Sequence, residues 1–248
     1  MFRSFFRLFV GFCTTMLLAA GLTSTAFSAE SAGSARRGLG VDFTRIIIDA
    51  KNKTSNTGSL LFSNYSNTNY VARNRLLDFF TQEPSQAAII SPPMMLLPPG
   101  RQMRVTATVT RPDLLPKDRE SLFLYESVAV PGTVVGGKAP ENSVKINIAT
   151  TIKVYYRPAG IQADMSKAIE SLVWKREANG FLITNNTPVH VSITRVKYGE
   201  NVILNTPIVV KPFDSAEIAV EKMPAQAGKL QYGCVNDYGA VVVNERHL

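Results

Sequence analysis

Histidine and cysteine, the side chains that most often bind metals or act as nucleophiles, are scarce in this chain of 248 residues. Its two histidines are His190 and His247, and its two cysteines are Cys13 and Cys234. Their spacing matches neither a zinc site nor a Cys-His pair, and the sequence contains no Gly-x-Ser-x-Gly motif and no GxxxxGK[S/T] phosphate loop. His190 is flanked by valines, as expected for a histidine in a strand. We therefore expect no enzymatic activity, no metal and no other cofactor.

The first thirty residues have the composition of an export signal. Two early arginines precede an apolar run from Leu8 to Leu22, and small residues follow. The run is shorter than the roughly 20 residues that span a bilayer, and no basic stop-transfer segment follows it, which favours a signal peptide over an uncleaved anchor. We predict a signal peptide over residues 1–28, with cleavage after Ser28 and Ala26 as the alternative position.

The mature chain stays basic after export, because the leader removes two arginines from a formal charge of +8. An exported protein rarely meets nucleic acid, so the positive charge does not predict a nucleic-acid partner. Cys13 leaves with the leader, and Cys234 alone cannot form an internal disulfide. We expect Cys234 to be a small buried apolar residue.

The elements that must position any site are strands. From Val41 onward, segments rich in Val, Ile, Thr, Phe and Tyr alternate with Pro, Gly, Asn and Ser, and several show period-two alternation of apolar and polar residues. This pattern is typical of antiparallel sandwiches. The Pro-Ala-Gly break that begins at Pro158 predicts two domains, over residues 41–158 and 159–248. Residues 29–40, rich in Ala, Gly and Ser, predict a flexible extension before them.

Four segments carry a resemblance to a known family. They are Thr44–Ile47, Leu115–Phe123, Ile152–Pro158 and Asn236–Ala240. In order and spacing they resemble the signature of the periplasmic pilus (fimbrial) chaperones. The short segment Gly132–Glu141 between two predicted edge strands is similar to the short-loop branch of that family.

The resemblance implies an all-β fold of two immunoglobulin-like sandwich domains arranged as an L or boomerang. It also implies a periplasmic protein that binds pilin subunits and delivers them to an outer-membrane usher. In this family, residues at the positions of Arg45 and Lys153 bind the C-terminal carboxylate of the subunit. Two cations on one carboxylate would form charge-assisted hydrogen bonds of roughly 1.5 to 3 kcal/mol each. The alternative is that both are ordinary solvated strand charges.

A second implied element is a donor strand that completes the unfinished sandwich of a pilin, formed by Val144, Ile146 and Ile148. These residues alternate with polar ones, and the pattern alone leaves open that they face the core of their own domain. Lys153 is odd-numbered and these three residues are even-numbered, so in a regular strand Lys153 would have the opposite parity and point to the opposite face. That difference requires either a bulge near Thr150-Thr151 or a binding cleft on the other face of the sheet.

A third implied element is a structural charge network between the domains, formed by Glu120, Arg157 and Asp237. A lone buried arginine is costly, and two flanking carboxylates compensate it. We expect this network to fix the angle between the domains.

Two other classes of protein compete with the chaperone reading. A pilus subunit or adhesive sandwich would show a disulfide pair and one incomplete domain, and a sugar-binding module would show clustered surface aromatics. The single tryptophan, Trp174, lies in a predicted strand and indicates core packing instead. An exposed apolar edge strand is an aggregation hazard, so we expect the free protein to cap itself as a homodimer.

Overall fold

The computed structural model describes residues 37–51, 56–132, 145–221, 223 and 228–248, which fold mainly into β-strands. The predicted signal peptide, Val144 and most of the segment Gly132–Glu141 lie outside the described residues. No helix in the described part is both long enough and apolar enough to cross a bilayer.

In the described residues, the first sandwich has nine strands in two sheets. They are β1 (Leu39–Val41), β2 (Arg45–Asp49), β3 (Thr57–Asn64), β4 (Tyr70–Asp78), β5 (Ala88–Ser91), β6 (Met94–Leu97), β7 (Gln102–Val109), β8 (Ser121–Pro131) and β9 (Ile148–Arg157). One sheet has the order β1-β3-β7-β5, and the other has the order β2-β9-β8-β4-β6. All described pairs are antiparallel except β2 with β9, which is parallel. A short 3₁₀ helix, Pro112–Leu114, precedes β8.

Period-two alternation builds the core between these sheets. In β7, Val105, Ala107 and Val109 are buried, and their polar neighbours face outward. In β9, Ile152 and Val154 belong to the same core. The two inner faces therefore form one hydrophobic layer, as in other β-sandwiches.

The second sandwich has its own core, which includes Trp174 and Cys234. Its elements are α1 (Met165–Glu170), β10 (Val173–Glu177), β11 (Gly180–Asn185), β12 (Val191–Tyr198), β13 (Asn201–Leu204), β14 (Ile208–Val210), β15 (Asp214–Ala219), β16 (Lys229–Val235) and β17 (Val241–His247). One sheet has the order β10-β11-β15. The other has the order β13-β12-β16-β17, with β14 also paired to β12. The prediction of an all-β fold with two sandwiches is confirmed.

Two local expectations differ from the structure. The first strand begins at Leu39, inside the segment expected to be a flexible extension, because Leu39 and Val41 pack against the core. The dipeptide Asn179-Gly180 is typical of a two-residue hairpin turn, but the chain turns at Ala178-Asn179, with Gly180 opposite Glu177 in the ladder. Glycine is required at position 180 because a Cβ there would lie 2.0 Å from the backbone oxygen of Ile218.

Candidate functional site

Arg45 and Lys153 are direct neighbours on adjacent strands. Arg45 is the first residue of β2, and its Cα partner in the parallel ladder is Lys153 of β9. Neighbouring strands lie about 4.8 Å apart, so this register places the two side chains together on one face of the sheet. The neighbours of Lys153 in the strand, Ile152 and Val154, point into the core, so the cations project from the opposite face.

That face is turned toward the second sandwich. The hydroxyl of Tyr155, which shares the parity of Lys153, lies 3.2 Å from Oγ of Ser192 in β12. The guanidinium of Arg45 lies over the Tyr155 ring, 5.6 Å from its centroid, and donates a 3.5 Å hydrogen bond from Nη1 to the carbonyl of Val235. Arg45 therefore lies at the junction of the sandwiches, and Lys153 lies beside it on the same face of the sheet.

Both cations lack a neutralising carboxylate among the residues that the structure describes. The Nε of Arg45 is buried and has no hydrogen-bond partner there. Burial, and then the charge of Arg45, lower the pKa of Lys153 below its ordinary value. Burying two like charges together is unfavourable, and a bound anion would compensate both. The geometry therefore suits a carboxylate ligand.

The strand that carries Lys153 has an open edge beside the cations. On one side, β8 pairs with β9 over Ile148–Tyr156. On the other side, β2 pairs only with Lys153–Arg157, so no described strand covers β9 from Ile148 to Ile152. Unpaired backbone groups on this edge can accept another strand.

Ile148 begins this open edge, and Ile146 lies two residues before it, outside β9. Ile148 is on the same face of the strand as the core residues Ile152 and Val154. Ile146 is 71% exposed and Ile148 is partly exposed. The register between β8 and β9 is unbroken from Ser121 to Ala129, so there is no bulge near Thr150-Thr151. With a bulge excluded, Lys153 and Ile148 project from opposite faces of the sheet.

The structure brings Glu120, Arg157 and Asp237 together at the junction of the sandwiches. The Nε of Arg157 donates to Glu120 at 2.8 Å, and its Nη1 and Nη2 donate to Asp237 at 2.8 and 2.7 Å. Arg157 is 5% exposed and Glu120 is 2% exposed. Burial alone would lower the pKa of Arg157, but the hydrogen bonds with Asp237 and the charge of Glu120 outweigh burial and raise it.

Sequence reasoning did not assign His190 to this network. The second carboxylate oxygen of Glu120 lies 3.0 Å from Nδ1 of His190 and accepts the His190 backbone N–H at 2.8 Å. His190 is buried immediately before β12. The flanking valines predicted a strand histidine, but nothing in the sequence pairs it with a carboxylate 70 residues away.

The fold and the site define a class: a two-domain β-sandwich protein with two cations at the domain junction, beside an open strand edge. Among the described residues, neither cation has a carboxylate partner. Family comparison places the chain within that class. Residues 38–162 match the N-terminal domain of the pili and flagellar-assembly chaperone PapD, and residues 167–246 match the C-terminal domain of the pili assembly chaperone PapD. The chain belongs to this family of fimbrial chaperones, so it is a chaperone and not an enzyme.

Individual relatives agree with this assignment. The chaperone protein FimC of Escherichia coli K12 is 29% identical over 211 residues, which cover 85% of this chain and 84% of FimC. The fold is similar to that of the SafB chaperone, solved in complex with the SafA pilin of Salmonella enterica, with a TM-score of 0.72, 21% identity and coverage of 86% and 97%. The periplasmic chaperone SfaE gives a TM-score of 0.69, 21% identity and coverage of 85% and 98%.

Proposed function

We propose that this chaperone captures a pilin subunit by its C-terminal carboxylate, bound between Arg45 and Lys153, while a strand of the subunit pairs with the open edge of β9. The observation that carries the proposal is the direct pairing of Arg45 with Lys153 where the open edge ends. Each cation contributes charge-assisted hydrogen bonds to the carboxylate.

The position of the carboxylate fixes the direction of the subunit strand. A chain that ends at Lys153 and extends back along Thr151 toward Ile146 runs in the same direction as β9. It therefore forms a parallel ladder and lies end to end with β2, which is itself parallel to β9 and begins opposite Lys153. The exposed side chain of Ile146 and the partly exposed side chain of Ile148 then fill the groove of the incomplete subunit sandwich, together with Val144, as a donor strand.

The test is co-purification of the neighbouring pilin-like subunit with wild-type chaperone, Arg45→Ala and Lys153→Ala, after circular dichroism shows that the variants fold. Lys51→Ala, which removes an exposed lysine just beyond β2, is the matched control. We expect wild type and the control to capture subunit and both cleft variants to lose capture. Equal capture by folded cleft variants would overturn the carboxylate anchor.

We infer that the outer-membrane usher docks on a separate apolar patch of the first sandwich. Val71 of β4 lies opposite both Leu96 of β6 and Val130 of β8, and these side chains are 40%, 57% and 44% exposed. Contiguous exposed apolar residues mark interaction surfaces. The patch stays accessible while the cleft holds a subunit, which a delivery partner requires, because Leu96 lies at the sheet edge opposite β2.

The usher proposal is tested with Leu96→Asp, and Ile89→Asp is its control. Ile89 is 55% exposed on β5, in the other sheet. We expect Leu96→Asp to capture subunit normally but to fail to deliver it to usher-containing membranes, and Ile89→Asp to do both. Delivery by Leu96→Asp at the wild-type rate would exclude this patch.

We also propose that the chain is exported to the periplasm by its first 28 residues and caps its open edge by dimerising when free. N-terminal sequencing of the protein from the periplasmic fraction should begin after Ser28 or Ala26. Sedimentation should show a dimer that dissociates when subunit binds, and a monomer at tens of micromolar would exclude self-capping.

A further inference from the structure

Each of the two cations at the candidate site lies over an aromatic ring. The guanidinium carbon of Arg45 is 5.6 Å from the centroid of the Tyr155 ring, and Nζ of Lys153 is 5.6 Å from the centroid of the Phe79 ring. Tyr155 belongs to β9, the strand of Lys153 itself, whereas Phe79 comes directly after β4. Because β8 lies between β4 and β9, the fold and not the local sequence brings Phe79 to Lys153.

The register of the three strands accounts for this contact. Lys153 lies opposite Leu124 of β8, and Leu124 lies opposite Leu77 of β4. Side chains at directly opposite positions share one face of a sheet, so these three residues form a row across it. Phe79 lies two residues beyond Leu77, and its backbone N–H donates a 3.2 Å hydrogen bond to the carbonyl of Leu122. The side chain of Lys153 therefore extends across β8 to the ring at the end of β4.

The turn after β4 fixes the position of Phe79. Nε2 of Gln82 donates a 2.6 Å hydrogen bond to the carbonyl of Phe79. Oδ1 of Asp78 accepts the backbone N–H groups of Phe80 and Thr81 at 3.0 and 2.9 Å. The Phe80 ring meets the Phe79 ring edge to face, with centroids 5.1 Å apart. The ring under Lys153 is thus held on both sides by the turn that carries it.

An aromatic ring supports an ammonium group differently from a carboxylate. The face of the ring attracts the cation electrostatically, and this attraction is larger where water is partly excluded, as it is at Lys153. The three N–H donors of the lysine stay free for other acceptors. A carboxylate of the protein in the same place would occupy those donors and compete with a bound anion. Among the described residues no such carboxylate lies within ion-pair distance of Lys153.

We propose that Phe79 is a positioning residue of the carboxylate anchor, which keeps the ammonium of Lys153 charged and correctly placed for the subunit's C-terminal carboxylate. The proposal rests on the proposed function, because it assigns Phe79 a role only through Lys153. The competing explanation is that Phe79 simply packs the end of the sheet. The two explanations differ in one measurable respect, which is whether Phe79 affects binding of the carboxylate specifically.

The probe is a synthetic peptide of alternating Val and Thr with a free C-terminal carboxylate, compared with the same peptide amidated. Calorimetry gives the ratio of the two affinities for wild type, Phe79→Leu, Phe79→Tyr and Phe80→Leu, after circular dichroism shows that the variants fold. Changes in packing or strand pairing act on both peptides and cancel in this ratio. Phe80→Leu is the matched control, because it makes the same change at the next residue, whose ring contacts Lys211 instead of Lys153.

We expect wild type to prefer the free acid and Phe79→Leu to reduce this preference by about threefold to tenfold. Phe79→Tyr, which keeps the ring, and Phe80→Leu should retain the wild-type preference. In a Lys153→Met background, Phe79→Leu should cause no further reduction, since the cation that the ring supports is gone.

Three results would overturn the proposal while leaving the carboxylate anchor in place. They are an undiminished preference for the free acid in Phe79→Leu, an equal reduction in Phe80→Leu, and an equal reduction by Phe79→Leu when Lys153 is already methionine. If wild type itself binds the amidated peptide as tightly as the free acid, the carboxylate anchor fails and the Phe79 proposal fails with it.

Discussion

Replacing Arg157 with methionine should strongly destabilise the protein. The guanidinium donates three charge-assisted hydrogen bonds, and its bond to Glu120 lies in a fully buried environment, with side-chain exposures of 6% and 0%. The Asp237 side chain is 29% exposed, so solvent screens that half of the network and the Glu120 contact dominates. Removing Arg157 leaves the buried Glu120 carboxylate with His190 as its remaining partner. A buried charge that loses its ion-pair partner typically costs about 3 to 5 kcal/mol.

Urea denaturation followed by circular dichroism and Trp174 fluorescence measures this loss of unfolding free energy. In a thermal scan of a protein of this size, the same loss should lower the melting temperature by about 6 to 20 °C. Arg75→Met is the matched control, because Arg75 pairs with Glu126 at the surface, with side-chain exposures of 43% and 22%, and should lose no more than about 1 kcal/mol.

A double-mutant cycle separates the buried pair from the loss of a large side chain. Glu120→Gln and Arg157→Met should each destabilise the protein, and the double variant should lose about 1 to 3 kcal/mol less than the sum, since neither partner is left charged alone. Additive effects, or an Arg157→Met variant as stable as Arg75→Met, would refute the reasoning.

Three further predictions follow from the site. Because burial and Arg45 lower the pKa of Lys153, the folded state binds fewer protons than the unfolded chain between that lowered pKa and 10.5. Wild type should therefore gain stability relative to Lys153→Met as the pH rises through this window. If the difference in unfolding free energy between the two proteins is the same at every pH, the lowered pKa of Lys153 is contradicted. Ile146→Asp should leave stability unchanged, since Ile146 is 71% exposed, yet weaken subunit capture in the co-purification assay. Burial raises the pKa of the Cys234 thiol to about 12, so Cys234 should resist alkylation until denaturant is added, as mass spectrometry would show.

Strands with a complete apolar alternation were predictable from the sequence, and β4 was not. The inner face of β4 carries Ala72 and Asn74, which give a weak apolar signal. Asn74 is acceptable in the core because it receives the Tyr125 hydroxyl at 2.9 Å and donates to the carbonyl of Pro92 at 2.8 Å. Such pairing depends on residues far apart in the chain, which a local pattern does not contain.

The candidate site was predictable only as a set of residue types. The period of two places Lys153 on the opposite face of a regular strand from Ile146. The sequence left open whether a bulge near Thr150-Thr151 brings them to one face or whether Lys153 binds its ligand on the other face of the sheet. The unbroken ladder between β8 and β9 supplies the explanation. His190 could not be assigned because its contact, Glu120, comes from the other sandwich.

The position where β2 begins has a consequence for which subunits the proposed complex can accept. A strand paired with the open edge of β9 would end at the first residue of β2, opposite Lys153. A subunit extended by even a few residues would have to leave the sheet there, and a truncated subunit would bring its carboxylate to the cations with every side chain displaced along β9. In the proposed complex, the open edge of β9 would therefore accept only subunits whose chain ends at the correct residue, and we expect a C-terminal purification tag on a subunit to abolish its assembly.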